Sequence, residues 1–227
     1  LITRSTSNKG LALNVIDGIT EVLKEYEGTI VLEDDIETSE SFLNYMNSSL
    51  NDYKDKKKVW HISGYNVPLN LNYTDKDTFF IRVMFCWGWA TWRDRWSSFR
   101  EEKFSLDPYY LRDIFSPSMI NEFNLRGNHD IFWSQIEKNL ISDRQTWAIF
   151  WYSHIFLNKG LCLNPAMSLC DNFGFDGSGE NCTKNAKIAS QKLNSSSKFY
   201  FPKKIKEDEK FLKAVNNYFN YPNIFLR

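Results

Sequence analysis

The chain has 227 residues, with 28 Lys and Arg balancing 28 Asp and Glu, so its formal net charge is zero. That balance argues against nucleic acid as the partner, because no global positive field draws a polyanion. The length suits one large domain or one domain with an extension, here divided at residues 1–180 and 181–227. Aromatic residues make up 16% of the chain, and all eight Trp fall between Trp60 and Trp151, a concentration that suits a thick core or a platform for flat ligands such as sugar rings.

Cys86, Cys162, Cys170 and Cys182 form no CxxC pair. Zinc-finger spacing is therefore absent and buried free thiols are expected, although Cys170 and Cys182 flank a loop and would be able to pair in an oxidising compartment. No apolar run approaches a membrane span, and Leu1-Ile2-Thr3-Arg4 does not read as a signal peptide. The expected location is cytoplasmic.

Leu11 to Tyr26 carries apolar residues at 12, 16, 19, 23 and 26, a helical stripe closed by Gly28. Thr29 to Leu32 follows as a short buried strand, apolar and rich in β-branched residues. Glu33-Asp34-Asp35 then places three carboxylates at the strand tip. Phe42, Tyr45, Met46, Leu50 and Tyr53 mark a second helix, with Thr38 or Ser39 as its expected N-cap. Val59 to Ser63 reads as a strand ended by Gly64, residues 65–77 as a loop, and Phe79 to Phe85 as a third strand running into Cys86-Trp87-Gly88-Trp89-Ala90-Thr91-Trp92.

Pro108 and Pro117 punctuate short helical pieces. His129 to Leu140 and Thr146 to Asn158 read as longer helices, the second capped by Gly160. Leu161 to Leu163 and Met167 to Cys170 are short strand candidates. Asp171 to Gly179 is a polar, Gly-rich loop, Glu180 to Ser197 a polar and mobile stretch, and Ile205 to Phe219 an amphipathic helix. A helix leading through glycine into a buried strand is half of an α/β unit.

The acidic triplet carries the chemistry. Three adjacent carboxylates repel one another and resist desolvation, and a divalent cation with few ligand constraints, Mg²⁺ or Mn²⁺, relieves both problems. The alternative is a solvated acidic turn. Sugar transfer from a nucleotide donor expels a diphosphate, and its growing charge needs such an ion. Ligands of open α/β sheets bind at the carboxyl ends of strands, where this triplet lies. The histidines at 61, 129 and 154 show no i,i+4 pair, so a histidine metal site is not expected.

Val31-Leu32-Glu33-Asp34-Asp35, Trp87-Gly88-Trp89-Ala90-Thr91-Trp92, Thr146-Trp147-Ala148-Ile149 with Trp151-Tyr152, and Asn172-Phe173-Gly174-Phe175-Asp176-Gly177-Ser178-Gly179 occur in that order. The set resembles bacterial glycosyltransferases of the GT-A fold related to N-acetylglucosaminyltransferase I, over about Arg4 to Cys182. The resemblance implies a GT-A-like mixed sheet flanked by helices, here beginning after the first strand of the nucleotide-binding half. It implies Asp35 as the metal ligand, Glu33 and Asp34 as donor contacts, and Arg4, Asn8 and Gly10 as a nucleotide-touching segment. Asn181 stands where the family carries a His.

Inverting transfer, which the resemblance implies, needs a carboxylate base within reach of the acceptor hydroxyl. Asp143 is the first candidate, with Asp130 and Asp176 as rivals, each of which also suits a cap or loop hydrogen bond. Trp89, and beside it Trp87, are acceptor-platform candidates, weighed against a place in the core. The Gly-rich loop suits a flap over bound donor. The expected partners are a nucleotide-sugar donor and a glycan or lipid-linked acceptor in surface polysaccharide synthesis. The basic run Lys203-Lys204-Lys206 beside the terminal helix suits a peripheral contact with the inner membrane face. The alternative from another class is a degenerate, non-catalytic domain that binds nucleotide-sugar or glycan.

Overall fold

A computed structural model describes residues 2–69, 76–102, 106–127, 129–141, 146–174 and 191–220. The expected helical stripe folds as α1 (Gly10–Glu25), which buries Ala12, Ile16, Ile19 and Leu23. Only Tyr26 and Glu27 connect it to β1 (Gly28–Val31). So short a connection sends the strand back along the helix, and α1 packs on β1. The acidic end of the strand therefore faces the same edge of the molecule as the start of the helix.

The chain continues through β2 (Ile36–Thr38), α2 (Phe42–Tyr53), β3 (Val59–Ser63), β4 (Thr78–Ile81) and β5 (Trp89–Trp92). Next come α3 (Arg93–Glu101), α4 (Pro108–Ile114), α5 (Pro117–Phe123), α6 (Trp133–Ile141) and α7 (Ala148–Leu157). The last elements are β6 (Leu161–Pro165), β7 (Cys170–Asn172) and α8 (Glu209–Asn220). Five strands form a mixed sheet in the order β1-β5-β3-β6-β4, parallel between β3 and β6 and antiparallel at the other pairs. A separate ladder joins β2 to β7, antiparallel. The architecture is thus α/β, with a mixed sheet flanked by helices.

Several elements depart from the sequence reading, each for an identifiable cause. The strand expected over Phe79 to Phe85 stops at Ile81, because the Arg82 amide donates to Glu207 Oε1 at 3.1 Å instead of continuing a ladder. The Trp-rich segment itself supplies a strand, β5, which pairs with β1 on one side and β3 on the other. Thr38 does not cap α2, since it belongs to β2; Ser41 occupies the cap position without a side-chain cap bond. Helix α6 begins at Trp133 rather than His129, with Asp130 Oδ1 accepting from the Ser134 amide at 3.1 Å. Helix α8 begins after Asp208, whose Oδ1 accepts from the amides of Lys210 and Phe211. The two proline-led helices form as expected, with Asp107 and Ser116 as side-chain caps.

Two glycines let β3 and β5 meet. The Gly64 amide donates to Gly88 O at 2.6 Å, and a Cβ at Gly64 would fall 2.7 Å from that oxygen. Gly88 has φ +57°, a conformation that costs glycine little and other residues more. The extension beyond residue 180 reaches the core at α8: Phe211, Leu212 and Val215 are buried, and the Phe211 ring stacks on Phe79 at 3.8 Å. The ion pairs of Arg82 with Glu207 and Glu122 tie the approach to α8 onto the sheet and α5.

Beneath the sheet lies an aromatic pack. Trp89 is fully buried, stacked on His61 at 4.9 Å and on Trp147 at 5.2 Å. His61 is neutral by its environment: burial lowers its pKa to about 3. Its Nδ1 accepts from Trp151 Nε1 at 3.2 Å, and this fixes the proton on Nε2, which donates to Phe85 O at 3.1 Å. No described helix is long and apolar enough to cross a membrane.

Candidate functional site

The acidic triplet occupies the turn between β1, the edge strand of the main sheet, and β2 of the small ladder. The Ile36 amide donates to Glu33 O at 3.3 Å and closes that turn. Asp34 is exposed, whereas Glu33 and Asp35 are half-buried. Ile36 faces Asn172 across the β2–β7 ladder, and the Phe173 amide donates to Asp35 O at 2.9 Å. This ladder carries the Asn172-Phe173-Gly174 segment to the acidic turn, joining two motifs far apart in the chain.

Within this contact, Asn172 Oδ1 accepts from the Gly174 amide at 2.7 Å. A Cβ on Gly174 would stand 2.5 Å from Asp35 Oδ2 and 3.0 Å from Asn172 Oδ1. A side chain at this position would force the carboxylate to shift. The other oxygen, Asp35 Oδ1, is buried and has no hydrogen-bond partner among the described residues. A buried carboxylate oxygen left unpaired is costly, and a cation is the usual remedy.

The electrostatics agree with that reading. Burial raises the Glu33 pKa, and the charges of Asp35 and Asp34 raise it further. Burial and then the negative charge of Glu33 push the Cys86 thiol up to about 12, with Asp35 adding to it. The same charge cluster thus reaches Cys86, on the segment leading into β5. Among the described residues no three His, Cys, Asp or Glu side chains are grouped to hold an ion by themselves. An ion here fits the Mg²⁺ pattern, in which one or two carboxylates hold it and substrate phosphates and water complete its shell.

Arg4, Asn8 and Gly10 are exposed and lie at or just before the start of α1. Asn8 Oδ1 accepts from the Gly10 amide at 2.8 Å, so this segment forms the entry to the helix, at the edge that the triplet also faces. Gly10 takes φ +73° with open space around it.

Trp89 requires a correction. Its fully buried ring, enclosed by His61, Trp147, Trp96 and Trp151, presents no face to an acceptor. Alternation explains the outcome: β5 is buried along its whole length, so both faces of the strand point into packed layers. Trp87 is half-buried, with its ring 4.4 Å from that of Tyr65, and it lines an open cavity. Of the three base candidates, Asp143 and Asp176 lie outside the described residues, as do Asn181 and Cys182. Asp130 is exposed, and its Oδ1 already accepts from Asn124 Nδ2 and the Ser134 amide. Cys86, Cys162 and Cys170 are free thiols.

Sequence reasoning did not single out Gly174, Asn172 or Cys86 for the acidic site. The only local signal was the Gly-rich loop, and nothing in it specified contact with Asp35. Compared with family models and with curated proteins, the sequence finds no match.

Proposed function

We propose that the protein is a metal-dependent glycosyltransferase of GT-A type that moves a sugar from a nucleotide-sugar donor to an acceptor hydroxyl. One observation carries this reading: Asp35 Oδ1 at the tip of β1 is buried without a hydrogen-bond partner among the described residues, in a space that Gly174 keeps open. Asp35 is the residue to hold Mn²⁺ or Mg²⁺. Such an ion would supply Lewis-acid stabilisation for the charge gathering on the departing diphosphate.

The chain's own residues have distinct parts in this scheme. Glu33, half-buried, and Asp34, exposed, take the hydroxyls of the donor in this reading. Arg4 and the turn at Asn8 and Gly10, at the edge the triplet faces, suit the nucleotide. During transfer the acceptor oxygen bonds to the anomeric carbon as the bond from that carbon to the diphosphate oxygen breaks. The electron pair leaves with the diphosphate, and the acceptor proton passes to a carboxylate, for which Asp143 is the first candidate. Inversion and a role in surface polysaccharide synthesis belong to the same proposal and rest on the family resemblance.

Calorimetry of UDP, GDP and TDP with Mn²⁺ tests it. One nucleotide is expected to bind, and Asp35→Ala is expected to weaken that binding by about tenfold or more, equal to about 1.4 kcal/mol, while leaving the thermal unfolding cooperative. Unchanged binding in the variant would overturn the assignment. Nucleotide binding without transfer to any glycan acceptor would identify a binding domain instead.

A further inference from the structure

Beside the acidic site lies a cavity of about 280 Å³ that the transferase chemistry itself does not explain. Its walls come from Tyr65, Phe85, Trp87, Phe132, Tyr152 and Phe219, on the loop after β3, the segment before β5, the turn just ahead of α6, and α7 and α8. Cys86 also lines it, and the Cys170 thiol of β7 donates to Trp87 O at 3.0 Å. Cys170 pairs with Thr38 in the β2–β7 ladder, so the Cys86-Trp87 wall of the cavity is fastened to the ladder that also holds the acidic turn.

The chemistry of the lining narrows what it can hold. No charged side chain lines the cavity among the described residues. A lipid diphosphate, which needs a cation close to its phosphates, finds none in these walls. The polar groups in them are few and partly engaged: Gln135 Nε2 donates to Ile131 O at 2.9 Å, and the Tyr152 hydroxyl to Phe123 O at 2.9 Å. A bare sugar would leave several hydroxyls without partners here, at about 1–3 kcal/mol each. A flat, uncharged ring meets the opposite situation, since aromatic pairs contribute about 0.5–1.5 kcal/mol each beyond the burial of area.

We propose that this cavity is a subsite for an uncharged aromatic substituent carried by the acceptor. The ring enters among Tyr65, Trp87 and Phe132, and the sugar it is attached to is left at the Cys86-Trp87 wall. The proposal names the acceptor class of the transferase reading and rests on that reading for its purpose, though not for the binding itself.

Ligand-observed NMR and equilibrium dialysis with phenyl, octyl and methyl glucoside test it on the full chain. Phenyl glucoside is expected to bind about tenfold or more tightly than methyl glucoside. Ala148→Phe, which fills the cavity from α7, is expected to abolish the difference, and Gln135→Trp does the same from α6 should the first variant fold poorly. Asp35→Ala is expected to keep phenyl glucoside binding while losing the Mn²⁺-dependent nucleotide. Equal binding of the phenyl and methyl compounds overturns the subsite, as does octyl glucoside binding as tightly as phenyl. Failure of the phenyl arm with nucleotide binding intact refutes the subsite alone. Failure of the nucleotide arm with phenyl binding intact refutes the transferase alone.

Discussion

Gly174 is pressed against Asp35 so closely that a methyl group added to it would stand 2.5 Å from the Asp35 carboxylate. Gly174→Ala is therefore expected to push that carboxylate out of place. The variant should weaken Mn²⁺-dependent nucleotide binding by about tenfold, or about 1.4 kcal/mol, with a smaller change in melting temperature than in affinity. Calorimetry beside thermal denaturation checks both. An unaltered affinity would mean that the position of Asp35 is irrelevant to the ligand.

Trp89→Phe is expected to lower stability and leave nucleotide and acceptor binding unchanged. The indole is fully buried between His61 and Trp147, and shortening a large core ring costs about 1–3 kcal/mol. Urea titration measures the loss, and a selective fall in acceptor affinity at constant stability would return Trp89 to the site.

His61 makes stability depend on pH. In the unfolded chain its pKa is near 6.5, and in the folded chain about 3. Between these values the unfolded state binds more protons, so the contribution of His61 is fully present above about pH 6.5 and declines as the pH falls towards 3. At pH 5 the loss is about 2 kcal/mol. His61→Gln removes the titration, and its unfolding midpoint is expected to fall less steeply than that of the parent between pH 6.5 and 5. Parallel pH profiles of the two proteins would contradict the buried neutral imidazole.

Arg82→Met is expected to destabilise by about 2–3 kcal/mol, because Glu207 and Glu122 lose their shared partner and breaking a buried pair strands a charge. The Arg82 and Glu207 side chains are 16% and 14% exposed, so solvent offsets part of the full penalty. Limited proteolysis should cut between residues 191 and 210 sooner in the variant, since this network fastens the chain just ahead of α8.

Asp130→Ala is expected to cost about 1 kcal/mol, the usual loss for a helix cap. Asp130→Asn keeps an oxygen for the Ser134 amide and should retain both stability and transfer. A thousandfold loss of transfer in Asp130→Asn, within the range general-base removal produces, would instead move the proton acceptor to this residue.

The features that sequence reasoning located share a local cause. The stripe of α1, the position of β1 behind Gly28, the strand Val59–Ser63 and the two proline-led helices are each set by residues within one or two turns of the chain, although β1 is a half-buried edge strand with Leu32 exposed rather than the buried strand expected. The acidic triplet was legible for the same reason, as charge placed directly after an apolar run. What escaped is non-local. Strand β5 has both faces buried, so it lacks the period-two alternation that marks a half-exposed strand. The ladder between Ile36–Thr38 and Cys170–Asn172 joins strands of three residues each, too short for any periodic signal. It is this ladder that brings Asn172 and Gly174 to Asp35, so the neighbours of the acidic site were invisible in the order of residues. Arg82 ended β4 through a partner 125 positions away.

The stacking of Trp89 on Trp147, at 5.2 Å and 19° between ring planes, has an optical consequence. Two indoles so close and nearly parallel couple their strong electronic transitions, which produces a dichroic couplet in the far ultraviolet that vanishes once the rings separate. Trp87, half-exposed on the cavity wall, emits from a different environment and is open to quenching by whatever enters. The native chain therefore carries two intrinsic chromophoric reporters, one for the integrity of its interior and one for occupancy of its cavity, without any label.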